Sequence, residues 1–342
     1  MPVSVRHVAA HAGVSVSTVS RALRGVEGIA MGTRKRVQEA AELLGYSASP
    51  SASRLATGRT RTVAVVVPQL SKWFFAEVIA AAGRVLAREA YDMLLVELAT
   101  PDLRRAFFGG ARLRGRSDGA IVLALQLRDD EVEALVRQAQ VIALVGSERP
   151  EASSVSVEDR EGGRSATRHL VNLGHERIAF IGIRDEPGAT LGGVPPAERL
   201  QGYRAALAEA RLPEDPALVL DVENSVASGA AAAAALLTLA EPPTAVFAAS
   251  DEIAFGVLKT LRGAGLRVPE DMSVVGYDTT TSWPTPSRSR PWTTMCPAQG
   301  ALAAEALVAA LAGGEPRGGR IEPRLVVRGS TAPPRRLRAG LP

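Results

Sequence analysis

Cysteine is all but missing from this chain: Cys296 stands alone among 342 residues, so no intrachain disulfide can form and a reducing compartment suits the composition. Aromatic residues are also sparse, at 4%, which leaves aliphatic side chains to build the core. The four histidines, His7, His11, His169 and His175, lack metal-ligand spacing with a cysteine or carboxylate, so each reads as a packing or capping residue and no metal or cofactor is expected. No unbroken apolar run reaches the ~18 residues of a membrane span; Ala230 to Ala235 comes nearest and is short. There is no phosphate loop ending in GKS or GKT, no G-x-S-x-G elbow and no H-E-x-x-H, which disfavours an enzyme built on those sites. The opening residues carry no charged leader followed by an apolar run, and a soluble cytoplasmic protein is the expectation.

What is present is unevenly placed. The length suggests two or three domains. Residues 1 to 61 hold nine Lys/Arg against three Glu, while the rest holds 31 basic and 33 acidic residues, so the net charge of +4 originates in the first sixth of the chain. A local polyanion-binding module is implied. Within it, Val5, Val8, Ala9 and Ala12 recur at helical spacing, Gly13 permits a turn, and Ser15 can cap a second helix whose Val16, Val19, Ala22 and Leu23 repeat the spacing. Ser17, Thr18, Ser20 and Arg21 face outward, the pattern of a helix-turn-helix with its recognition helix second. A third helix is predicted from Thr33 as N-cap through Val37, Ala40, Ala41 and Leu44, with Gly45 at its end and Arg34, Lys35 and Arg36 in its first turn. Those cations oppose the helix dipole unless phosphates lie nearby. Residues 46 to 60 read as a linker, or as a short helix in which Ser49 caps and Pro50 takes the first position.

From Arg61 onward strands alternate with helices. Thr62–Val67, Met93–Leu98, Gly119–Leu125 and Val141–Val145 form one series of strands, and Arg177–Ile183, Ala245–Ala249 and Ser273–Tyr277 a second. Helices are predicted near Phe74–Glu89, Arg164–Leu173, Glu198–Ala210 and Glu252–Arg262. Apolar strands joined by helical crossovers imply doubly wound parallel sheets, with ligands bound beyond the strands' carboxyl ends. The residues to watch there are Ser71 to Phe75, Asp159, Arg199, Ser250, Asp251 and Asp278.

Four blocks, VAAHAGVSVSTVSRAL at 8–23, HLVNLGHERIAFIG at 169–182, SDEIAFGVLKTLRGAGLRVPEDMSVVGYD at 250–278 and LVVRGSTAPP at 325–334, resemble the lactose/galactose repressor family of bacterial transcription regulators, as does RLQGYRAAL at 199–207. The resemblance implies an α/β protein with a helix-turn-helix headpiece at 1–45 and a hinge helix at 46–60, followed by a two-lobed core like periplasmic sugar-binding proteins. The first lobe would hold 61–160 and 291–320, the second 161–290 and 321–332, with a solvated tail at 333–342 that includes Arg335, Arg336 and Arg338. It further implies base contacts from Val16, Ser17 and Arg21, phosphate contacts from Thr18 and Ser20, with Arg34 joining the DNA-binding set, and a minor-groove wedge at Leu55. Val16 has a second reading, inward packing. Effector binding would fall to Lys72, Trp73, Phe74, Asp159, Arg199, Ser250, Asp251 and Asp278, although Asp251 also suits an N-cap and Arg199 a solvated helix position.

Ser49, Pro50 and Ser53 depart from the usual hinge, and Lys72, Trp73, Arg160, Ser250 and Thr279 from the usual pocket, which loses amides and gains cations; an anionic effector is one expectation, with Lys72 and Arg160 pointing to solvent the other. The partners implied are double-stranded operator DNA, a sugar or sugar-derived effector, and a second copy in a homodimer, with a tetramer left open and no membrane. The rival readings are a small-molecule binding protein without a DNA role and an enzyme on a doubly wound fold.

Overall fold

The computed structural model describes residues 3–23, 28–46, 59–139, 141–184, 194–277, 292–293, 296–327 and 329–335. The chain divides into two compact units, Met1–Arg61 and Thr62–Pro342, a boundary that coincides with the change in charge.

The first unit holds three helices, α1 (Val5–Ala12), α2 (Val16–Leu23) and α3 (Met31–Leu43). At the start of α1 the Ser4 N–H donates to His7 Nδ1 at 3.1 Å, and Gly13 ends the helix in the left-handed region at φ 63°. A side chain there would be strained, which is why glycine suits the turn. Ser15 does cap α2: its Oγ accepts from the Thr18 N–H at 3.1 Å. Val8, Ala9, Ala12, Val19, Ala22, Val37, Ala40 and Ala41 form the small core, with Leu23, Leu44 and Tyr46 at its edge. The start of α3 differs from the prediction. The Ala30 carbonyl already accepts from the Thr33 and Arg34 N–H groups at 2.9 and 3.0 Å, so the helix begins at Met31 and Thr33 lies inside it rather than capping it. Arg34, Lys35 and Arg36 therefore sit beyond the first turn, where the dipole cost has largely faded.

The second unit contains two parallel sheets. The first joins β1 (Thr62–Val67), β2 (Asp92–Glu97), β3 (Gly119–Leu123), β4 (Val141–Val145), β5 (Ser153–Val157) and, from far along the chain, β11 (Gly318–Ile321), in the order β11-β5-β4-β3-β1-β2. Every residue of β1 is buried, and its alternating side chains serve two cores. Val63, Val65 and Val67 pack with α4 (Trp73–Arg88) and α11 (Cys296–Leu311), while Ala64 and Val66 pack with α5 (Pro101–Phe108) and α6 (Asp129–Ala139).

The second sheet, β7 (Val219–Val222), β6 (Ile178–Ile183), β8 (Ala245–Ala248) and β9 (Ser273–Val275), is ordered β7-β6-β8-β9. One face carries α7 (Asp159–Asn172) and α8 (Val194–Glu209) over an aromatic cluster of Phe180, Tyr203, Phe247 and Tyr277; the other carries α9 (Val226–Leu237) and α10 (Asp251–Gly263) over smaller aliphatic residues. The chain thus enters the second lobe after Val157, is back in the first at Cys296, and leaves it again after Ile321. Near these crossings the short strands β10 (Trp292–Thr293) and β12 (Arg324–Leu325) pair antiparallel.

Among the described elements, strands β5, β7, β10, β11 and β12 and helices α9 and α11 escaped the sequence reading. Strand β5 reads SSVSV, and its Ser153 and Ser154 are buried because Ser153 Oγ accepts from the Arg317 N–H at 3.2 Å and Ser154 Oγ from the Arg149 N–H at 3.4 Å. Helix α7 begins at Asp159, five residues before the predicted Arg164, and α8 at Val194 rather than Glu198. The backbone of Ser330 accepts from the Val274 N–H at 2.9 Å and Ala332 exchanges hydrogen bonds of 3.0 Å with Ser273 Oγ, while Arg335, at the start of the predicted tail, stays largely exposed and pairs with Asp271 at 2.8 Å; Arg336 and Arg338 lie outside the described residues.

Candidate functional site

On α2, Val19 and Ala22 face the core, so helical geometry presents Val16, Ser17 and Arg21 on the outer face. Val16 is 42% exposed, which decides between its two readings in favour of the surface. Thr18 and Ser20 are half-buried on the flanks, as is Arg34 on α3. The Ser17 Oγ and Thr18 Oγ1 atoms each lie 2.8 Å from Ser15 Oγ, a hydroxyl cluster at the amino end of α2. Such an end suits a phosphate, because its backbone N–H groups lack intrahelical partners. Leu55 and the predicted hinge, apart from Tyr46, Arg59 and Thr60, lie outside the described residues.

In the second unit a cleft opens between the lobes. Of the predicted effector residues, Lys72, Phe74, Asp159, Arg199, Ser250 and Asp251 line it. Trp73 does not, and Asp278 lies outside the described residues. Arg199 is 8% exposed rather than solvated. Its Nε donates to Asp159 Oδ1 at 2.7 Å, its Nη1 donates to the Ala249 carbonyl at 2.6 Å, and its guanidinium carbon sits 3.8 Å from the centre of the Tyr277 ring. This arrangement needs α7 and α8 to touch backbone to backbone. A Cβ on Gly163 would come within 2.2 Å of the Arg199 carbonyl oxygen, so glycine alone permits the crossing that brings Arg199 beside Asp159.

Ser250, not Asp251, is the N-cap of α10, its Oγ accepting from the Ile253 N–H at 3.2 Å while donating to Asn224 Oδ1 at 2.6 Å. Asp251 is left on the first turn, facing the cleft.

Sequence reasoning missed Gln126, Asn224, Glu252 and Tyr277, all in the lining. Gln126, Asn224 and Tyr277 follow β3, β7 and β9 within three residues, where ligands bind beyond strand ends; Asn224 was hidden because β7 was not recognised, and Tyr277 because its strand was predicted to run through it. The reason for expecting an anionic effector fails. Arg160 lies outside this lining and pairs with Glu198 at 2.8 Å, and Lys72 pairs with Glu252 at 2.9 Å. Among the described residues the lining carries two cations, Lys72 and Arg199, and three carboxylates, Asp159, Asp251 and Glu252. The same lining includes Phe74, Phe75, Leu125, Val145, Ile183, Pro195 and Pro196. Apolar surface mixed with fixed polar groups fits a ligand with both hydroxyls and a hydrophobic face.

Residues 4–49 match the family described as bacterial regulatory proteins, lacI family, and residues 167–331 match the periplasmic binding protein-like domain. The HTH-type transcriptional regulator CelR of Thermobifida fusca is 38% identical over 285 residues, spanning 80% of this chain and 81% of that protein. The chain belongs to the LacI family. It is accordingly a DNA-binding transcriptional regulator and not an enzyme. Among solved structures, a CelR–cellobiose complex superposes with a TM-score of 0.68 at 32% identity, over 96% of this chain and 100% of that one. The lac repressor dimer bound to operator and the anti-inducer ONPF reaches 0.82 at 24% identity, over 97% and 100%, and shows the fold. No described helix is long and apolar enough to cross a membrane.

Proposed function

We propose that the protein is a cytoplasmic, effector-responsive repressor that binds a pseudo-palindromic operator as a homodimer and takes a carbohydrate in its cleft. The observation that carries this reading is the outer face of α2, where Val16, Ser17 and Arg21 are exposed with no packing reason for their chemistry. Arg21 offers a two-pronged donor to a guanine edge and Val16 an apolar contact to a thymine methyl. Ser17 adds a further base contact, Thr18, Ser20 and Arg34 hold phosphates, and Leu55 wedges the minor groove. One recognition helix covers a half-site, so a symmetric dimer reads both halves.

In the cleft, Arg199, Asp159 and Asp251, with Ser250, Asn224 and Gln126, supply donors and acceptors for hydroxyls, and Phe74 offers a flat apolar surface. The cellobiose of the CelR complex supports a carbohydrate as the effector class. Effector and operator affinities are linked reciprocally, each altering the other by the same factor.

A gel-shift titration with the upstream DNA of the protein's own transcription unit tests the reading. The expected result is a retarded complex whose affinity falls steeply with salt and changes when cellobiose or a related sugar is added. No retardation at low salt with that DNA or with any other genomic fragment overturns it.

A further inference from the structure

The Lys72 side chain crosses the cleft. Lys72 belongs to the first lobe, at the amino end of α4, where the Leu70 N–H donates to Glu97 Oε1 at 2.8 Å and fixes the preceding loop. Its ammonium is nonetheless satisfied by the second lobe. It lies 2.9 Å from Glu252 Oε2 on α10 and donates to the Asn224 carbonyl beyond β7. Both side chains of the ion pair are largely withdrawn from solvent, with 15% and 17% exposed. Its receivers are held in turn by one residue: Ser250 caps the helix that carries Glu252 and bonds the Asn224 side chain. The lysine therefore meets a prearranged seat rather than two mobile surface groups.

We propose that Lys72 is a positioning residue that latches the lobes together, its ion pair with Glu252 favouring the narrow cleft over the open one. Any rotation that separates the lobes must break the ammonium's bonds to both Glu252 and Asn224. The charge of Lys72 is spent on Glu252, so this latch acts on closure without drawing anions into the cleft. The inference does not depend on which molecule the cleft takes.

Lobe separation can be read without a ligand. Ala76 on α4 and Ala227 on α9 are exposed and lie on opposite lobes. Spin labels attached at Ala76→Cys and Ala227→Cys in a Cys296→Ala full-length chain, diluted with excess unlabelled chain so that distances between subunits drop out, report the interlobe distance by pulsed dipolar spectroscopy. The unsubstituted latch is expected to give one narrow distribution. Lys72→Met and the nearly isosteric Glu252→Gln should each lengthen and broaden it, and the exchanged pair Lys72→Glu with Glu252→Lys should restore the narrow one. Unchanged distributions in Lys72→Met and Glu252→Gln overturn the latch. A charge-exchanged pair that stays as broad as the single variants also overturns it, by showing that shape rather than charge holds the lobes.

Discussion

The helix-turn-helix unit and the effector unit solve opposite problems with the same kinds of residue. The first keeps its chemistry outside: its described, buried core residues are valine and alanine, and Arg21 stays exposed on α2. The second keeps its chemistry inside: Arg199 is buried, bonded to Asp159 and Ala249 and stacked on Tyr277. Arg21 of the first unit presents its side chain at the surface, whereas Arg199 of the second is enclosed as part of the architecture. The contrast teaches that residue type does not distinguish a binding group from a structural one; what surrounds the side chain does.

The sharpest way to break this comparison is Arg199→Met. It leaves the Asp159 carboxylate buried without its cation, which should cost the effector unit about 3–5 kcal/mol while sparing the helix-turn-helix unit. Urea unfolding of the full chain checks it, and equal losses in both units would erase the distinction. Arg21→Ala is the converse test. It should remove about 1–3 kcal/mol of specific DNA binding, retain salt-dependent nonspecific binding, and move the melting temperature far less than Arg199→Met does. Competition gel shifts and a melting curve read the two quantities separately.

Ser15→Ala should cost the small unit about 1 kcal/mol by removing the cap of α2, measurable as a shift of its own unfolding transition. The smallest effect concerns pH. Burial holds the His175 imidazole below the usual histidine range, and burial does the same to His169. In the unfolded chain both take up protons as pH falls below about 6.5, and in the folded chain they resist doing so. The effector unit should therefore lose stability as pH drops through about 6.5 toward the lower folded values, and gain nothing above that window. A melting temperature that stays flat from pH 7.5 to 5.5 contradicts neutral, buried imidazoles.

The same contrast explains what could be read in advance. In the small unit the functional residues lie within one helix, so the spacing of Val16, Val19, Ala22 and Leu23 both defines the element and decides which side chains are left outside. Only the start of α3 was misplaced, because Thr33 resembles a cap and the backbone of Ala30 does that work without a side-chain signature. In the effector unit the strands with continuous apolar runs were legible, such as the fully buried TVAVVV of β1. Strand β11, reading GGRI, carries no such run and is defined by its pairing with β5, more than 160 positions earlier. The cleft mixes both cases. Asp159 and Arg199 were accessible through the family resemblance, but Lys72 looked like an added cation because Glu252, its neutralising partner, lies on the other lobe. No local pattern encodes that meeting.

The strand order also sets a timetable for biosynthesis. The helix-turn-helix core is complete by Tyr46, whereas the first sheet waits for β11 at Gly318–Ile321, and β9 of the second waits for Ser330 and Ala332 to close along it. At about 5–20 residues per second, the interval between emergence of the two is roughly 15–60 s. During that time a nascent chain exposes a finished, positively charged DNA-reading unit before either lobe of its control unit is complete. A chain ending between these points would carry the complete helix-turn-helix core without either lobe of its control unit closed.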